Sequence, residues 1–107
     1  MCLHGVFAEP LRIKLNPNRQ VVRPGDNALI TCEATGEQPI TITWERLRDP
    51  MPRSVQTYGG RLQFQGIAVS DAGRYICRAT NRGGAADATA EVIVEGRSNS
   101  TIFPVFG

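Results

Sequence analysis

The sequence predicts an all-β fold, a sandwich of two antiparallel sheets around a single core. Three observations lead there. Apolar residues recur at every second position in short runs, as in Ala28-Ile30-Cys32-Ala34 and Ile40-Ile42-Trp44, the period of a strand with one buried face. The runs are punctuated by turn-forming clusters, among them Asn16-Pro17-Asn18, Pro24-Gly25-Asp26, Gly59-Gly60 and Asn81-Arg82-Gly83-Gly84, which leave room for strands but not for helices of ordinary length. Finally, a cysteine at 32, a tryptophan twelve residues on, and a second cysteine at 77 with Tyr75 and Asp71 ahead of it supply bulky groups to fill the roughly 10 Å gap between facing sheets.

Taken in order, residues 1–9 show neither strand alternation nor helical period and read as a leader or linker. From Pro10, Leu11, Ile13 and Leu15 alternate with Arg12 and Lys14 as a half-buried first strand. Asn16-Pro17-Asn18 breaks it, and a second short run, Gln20 to Arg23, ends at Pro24-Gly25-Asp26, where Gly25 is free to take a positive φ. Such a break also blunts an edge that could recruit another chain. Ala28, Ile30, Cys32 and Ala34 then share one face, with Leu29, Thr31 and Glu33 on the other. Past the loop Gly36 to Pro39, Ile40, Ile42 and Trp44 face inward while Thr41, Thr43 and Glu45 face out, and β-branched residues are dense here. Between Trp44 and Leu62 the pattern is irregular, with Pro50 and Pro52 around Met51: enough chain for short segments, too little for two full extra strands. Leu62 and Phe64 alternate with Arg61, Gln63 and Gln65, and Ile67 closes that run. Tyr75, Cys77 and Ala79 face inward opposite Arg74, Ile76 and Arg78; a Gly-rich hairpin at 81–84 leads into Ala88, Ala90, Val92 and Val94. The expected division is a domain over 10–95 flanked by linkers 1–9 and 96–107.

Composition narrows the function. A chain of 107 residues has room for one core. Its net charge of +2 is far from the basic excess of a nucleic-acid binder, and no apolar run is long enough to insert in a bilayer. All the basic residues but Lys14 are arginine, which suits paired hydrogen bonds to carboxylate, sulfate or phosphate. Chemistry finds no foothold. His4 is the only histidine and lies in the leader, neither CxxC nor HxxxH spacing occurs, no phosphate-loop pattern is present, and the ten carboxylates are scattered. The expectation is a non-enzyme with no catalytic residue, metal or cofactor. Asn99-Ser100-Thr101 is the one usable glycosylation sequon, since Asn16 is followed by proline. Ile102 to Phe106 is too short for a membrane anchor. Cys2 is the odd cysteine: a free thiol, an incidental residue, or a partner for another chain or domain.

The run Asp71-Ala72-Gly73-Arg74-Tyr75-Ile76-Cys77, with Cys32 and Trp44, resembles the immunoglobulin superfamily, intermediate set, from Pro10 to Glu95. The resemblance implies a Greek-key sandwich of strands A, A′, B, C, short C′/D, E, F and G. It implies a Cys32–Cys77 disulfide, worth about 4 kcal/mol in the chain-entropy account, with Trp44 packed on it and Leu62 in the same core. Tyr75 should bond the backbone upstream, and Asp71 should pair with Arg53. A disulfide implies an oxidising compartment; as the first residues lack a secretory-signal pattern, the expectation is a segment of a longer secreted protein. Val22-Arg23-Pro24-Gly25-Asp26, Trp44-Glu45-Arg46-Leu47, Met51-Pro52 and Gly60-Arg61-Leu62-Gln63-Phe64 are similar to the perlecan-type repeats of basement-membrane heparan sulfate proteoglycans. That likeness implies a structural spacer and protein-interaction surface in the extracellular matrix, with nidogen, collagen or fibronectin as partners. No Ser-Gly-Asp site for a heparan chain is present. The alternatives are a repeat of an adhesion or guidance receptor ectodomain, or an intracellular muscle-type repeat folded without the disulfide.

The remaining signal is surface. The outward residues expected on the sheet of strands C, F and G include Thr41, Thr43, Glu45, Arg74, Ile76, Arg78, Glu91 and Ile93. Exposed Ile76 and Ile93 between Arg74 and Arg78 would make a small apolar centre with a charged rim. A weak contact with sulfated glycosaminoglycan is the second expectation, through Arg46, Arg48 and Arg53 or through Arg74, Arg78 and Arg82.

Overall fold

The structure is a computed structural model that describes residues 10–95. Residues 1–9, with Cys2 and His4, and residues 96–107, with Asn99, lie outside the described residues. Eight strands follow in chain order: β1 (Arg12–Asn16), β2 (Arg19–Val22), β3 (Ala28–Thr35), β4 (Thr41–Arg46), β5 (Val55–Tyr58), β6 (Arg61–Phe64), β7 (Gly73–Asn81) and β8 (Gly84–Val94), with a 3₁₀ turn at Val69–Asp71 between β6 and β7. They form two four-stranded sheets, one in the order β1-β3-β6-β5 and the other β2-β8-β7-β4. The all-β sandwich expected from the alternation is the fold observed.

The proline break at Asn16-Pro17-Asn18 divides the first strand between the sheets. β1 pairs antiparallel with β3, and β2 crosses to pair parallel with β8. Because β2 and β8 run together and Glu95 N donates to Val22 O at 2.8 Å, β8 ends beside the end of β2. The start of β1, where Arg12 stands opposite Thr35, is at the other pole. The chain therefore enters the sandwich at one end and leaves it at the opposite end. Between β4 and β6 only one strand forms among the described residues. It is β5, paired antiparallel with β6, which is the D position of the expected order, and no C′ strand accompanies it.

The two inner faces meet in Val22, Ala28, Ile30, Cys32, Trp44, Leu62, Phe64, Ile67, Tyr75, Cys77, Ala90 and Val92, all buried. Cys32 on β3 and Cys77 on β7 are bonded across the gap, with Cα atoms 6.5 Å apart and a sequence separation of 45. Trp44 stands opposite Cys77 in the β4–β7 register, and its indole Nε1 donates to Gly60 O at 3.0 Å, so the buried ring leaves no donor unpaired. Phe64 and Tyr75 meet edge to face, with ring centroids 5.3 Å apart. Ile67 is in the core although β6 ends at Phe64, because Ile67 N donates to Asp26 O and Gly25 N to Ile67 O, tying this loop to the one before β3.

One expected pair is corrected. Asp71 does not bind Arg53. Its Oδ2 accepts from Ser54 Oγ at 3.0 Å and from Ala68 N at 2.9 Å, so a hydroxyl one residue beyond Arg53 takes the place expected of the guanidinium while the Ala68 N–H closes the 3₁₀ turn. The arginine of this corner is Arg46. Its guanidinium donates to Ser70 O at 2.6 Å and to Ala72 O at 2.9 Å, and lies 5.6 Å from the centroid of the Tyr75 ring. The Tyr75 hydroxyl donates to Asp71 O at 2.6 Å, the backbone bond expected of it.

Candidate interaction surface

With the inner faces consumed by the core, function has to lie on the outer faces, the loops or the poles. The outer face of the β2-β8-β7-β4 sheet can be built from the register. Thr41, Thr80 and Ala85 form one row, and Thr43, Arg78 and Asp87 the next. Glu45, Ile76 and Thr89 follow, and then Arg74 with Glu91 and Arg19. Val21 stands beside Ile93 beyond that row. Leu47 extends the β4 side of the Arg74 row, since its N–H donates to Arg74 O at 2.9 Å, and it shares a shallow concavity with Asn18, Arg19, Arg74, Thr89 and Glu91. A second concavity, adjoining through Leu47 and Arg74, is lined also by Arg48, Asp49 and Gly73.

The apolar centre differs from the expected one. Ile76 and Ile93 are half-buried rather than exposed, since each has a side chain of a neighbouring strand beside it: Ile76 between Glu45 and Thr89, Ile93 against Val21. The exposed apolar groups of this face are Val21, at 50 % exposure, and Leu47, at 39 %. Leu47 was not singled out from the sequence because it stands at the head of the irregular stretch, where no period marks a face. Its position two places after Glu45, which keeps the outward parity of β4, is the signal that could have found it. On the opposite sheet Tyr58, the most exposed large apolar side chain among the described residues, stands against Arg61, and Leu29 against Gln63. The two occupy different rows on strands separated by β6, so they form no contiguous patch.

The charges are largely matched within the face. Arg19 pairs with Glu91 at 3.6 Å and Arg78 with Asp87 at 3.6 Å, while Arg82 in the β7–β8 hairpin pairs with Glu37 at 3.9 Å. These are exposed pairs worth little in stability, but they redistribute the field. Of the two arginine groups expected to hold sulfated sugar, the first has Arg46 committed to backbone carbonyls, and in the second Arg78 and Arg82 are already opposed by carboxylates. Neither brings three free guanidinium groups together.

Two tight sheets, a Cys–Trp–Cys centre and a tyrosine bonded across its corner are therefore on one chain. The Immunoglobulin domain family matches it over residues 12–81. The chain belongs to that family. It is 36 % identical over 93 residues to the Basement membrane-specific heparan sulfate proteoglycan core protein of Mus musculus, a match covering 87 % of this chain and 2 % of that protein. It is 37 % identical over 71 residues to Cell adhesion molecule 4 of Xenopus laevis, covering 65 % of this chain and 18 % of that one. Among solved structures, the full ectodomain of mouse nectin-like molecule 4 superposes with a TM-score of 0.67 at 33 % identity, over 83 % of this chain and 31 % of that one. The N-terminal four Ig domains of Dscam1 give 0.67 at 30 % identity, over 80 % and 21 %. The chain spans only a small fraction of each of these relatives. Immunoglobulin domains are non-catalytic structural or adhesion modules, and this one is not an enzyme. The likeness reaches a matrix proteoglycan and cell adhesion molecules alike.

Proposed function

We propose that residues 10–95 form a non-catalytic extracellular module of a longer basement-membrane or matrix protein, with 1–9 and 96–107 as connecting segments, and that it acts as a spacer and docks proteins on the outer face of the β2-β8-β7-β4 sheet. The observation that carries the docking role is Leu47, an exposed leucine at the junction of two concavities with arginine on both sides of it, Arg48 and Arg74. An apolar anchor within a charged rim is the anatomy of a protein-binding patch. The proteoglycan relative supports the matrix setting, and nidogen, collagen and fibronectin are the first partners to test. Placement in an adhesion-receptor ectodomain is the second reading, supported by the identity to Cell adhesion molecule 4.

The experiment is surface-plasmon binding of nidogen, collagen and fibronectin to the immobilised chain, with Leu47→Asp as the test variant and Tyr58→Ser, on the opposite sheet, as the control. A partner that docks as proposed should lose about tenfold or more in affinity with Leu47→Asp and nothing with Tyr58→Ser. Binding that survives Leu47→Asp, or is lost with Tyr58→Ser, would move the site off this face. No binding to any of the three would overturn the matrix reading.

A further inference from the structure

On the outer face of the β2-β8-β7-β4 sheet there are three arginines, Arg19, Arg74 and Arg78, and three carboxylates, Glu45, Asp87 and Glu91. Among the described residues these charges balance. Two pairs are satisfied internally, Arg19 with Glu91 and Arg78 with Asp87. Arg74 stands directly across from Glu91 in the β7–β8 register, yet that carboxylate is turned to Arg19. Among the described residues, Arg74 and Glu45 are thus left over, one of each sign, and both are exposed.

Their placement is specific. Glu45 is opposite Ile76 across the β4–β7 pair, and Arg74 is bonded through its carbonyl to Leu47 in the neighbouring row. The four residues stand at the corners of one cell of the sheet, with strands about 4.8 Å apart. The two charges occupy one diagonal, and the two apolar residues, Ile76 and Leu47, occupy the other. A two-fold axis laid along the apolar diagonal carries each end of the charged one to within about 3 Å of the other's place, a gap that the long glutamate and arginine side chains span. We propose that this face docks on a second copy of the chain, in an isologous pair that sets Glu45 over the partner's Arg74, Arg74 over the partner's Glu45, and Leu47 and Ile76 on their own counterparts at the axis. Two-fold pairing demands this self-complementarity, in which contact i to j is repeated as j to i. A partner of one net sign would find no such match on a neutral face. The inference rests on the docking role of the face and names its occupant.

The test is sedimentation of the 107-residue chain with Cys2→Ser, so that an interchain disulfide cannot mimic association. A concentration-dependent dimer is expected. Glu45→Arg and Arg74→Glu should each weaken it by about tenfold or more, and the double reversal should restore it to within about threefold, because like charges then become opposite ones again. Glu45→Gln and Arg74→Gln, milder changes at exposed positions, should each weaken it severalfold. A chain that stays monomeric up to about 1 mM overturns the inference. So do single reversals that associate like the parent, or a double reversal that fails to recover. The outcome separates from that of the docking role itself. A monomeric chain that still binds a matrix protein through Leu47 removes the second copy and leaves the docking face, whereas a dimer that follows the charge reversals but binds no matrix protein keeps the docking face and its second copy and removes the matrix partners.

Discussion

Tyr75 joins the core to the loop ahead of it. Its ring packs edge to face on Phe64 and its hydroxyl donates to Asp71 O at 2.6 Å. Burial pushes the phenol up from its ordinary 10.0 to about 12; Arg46 pulls it down, and Asp71 and Asp49 add to the rise. A raised acid titrates later in the folded chain than in the unfolded one. Its contribution to stability is therefore complete below the ordinary value and is lost as pH climbs from there through the folded value. Tyr75→Phe is expected to remove this alkaline loss and, at neutral pH, to cost about 1 kcal/mol for the missing hydrogen bond. Urea titrations of both proteins at neutral pH and midway through the alkaline window measure both effects, and a variant that kept the parent's alkaline slope would refute the assignment.

At the scale of elements, the β5–β6 turn is pinned to β3 through one carbonyl. Gly60 O accepts from both Cys32 N, at 2.8 Å, and Trp44 Nε1, at 3.0 Å. The residue has φ +83, and a Cβ there would stand 2.5 Å from Cys32 O. Gly60→Ala should therefore cost about 3 kcal/mol or more, from clash and left-handed strain together. Its neighbour Gly59, at φ +57, has open space around it, so Gly59→Ala should cost only about 1 kcal/mol. Equal losses in chemical denaturation would show that conformation alone governs the turn.

The same elements explain what could be read from the sequence. Strands β3, β6 and β7 alternate between core and solvent, so their period survives in the residue types. β5 is half-buried at one residue and exposed at the next three; an edge strand that buries almost nothing writes no period, and its single-strand form was not legible. Partner choice was hidden for a related reason. Asp71 had Ser54 and Arg53 adjacent in sequence, and only the path of the chain into β5 decides which one reaches it. Ile76 and Ile93 were correctly placed on the outer face, but their exposure depends on neighbouring strands that sequence parity does not reveal. Leu47 was missed since it belongs to β4 by direction and to the following loop by composition.

For the molecule as a whole, the strongest single constraint is the disulfide between the sheets. Replacing Cys32 and Cys77 with alanine is expected to cost about 2–5 kcal/mol, a large share of the roughly 5–15 kcal/mol that holds a domain of this size together. Guanidinium titration followed by Trp44 fluorescence measures it. A loss well under 1 kcal/mol would mean that packing around the indole holds the sheets without the bond.

The opposite placement of the two ends has a mechanical consequence. When the chain is stretched by its poles, the force reaches the parallel β2–β8 pair along its length, so its hydrogen bonds must slide in shear together instead of unzipping one by one. Should that pair yield, the bond from 32 to 77 still withholds the stretch between its ends, a sequence separation of 45, roughly 150 Å of contour at full extension. A string of such units would lengthen in short, bounded steps, giving a tether that yields without running out.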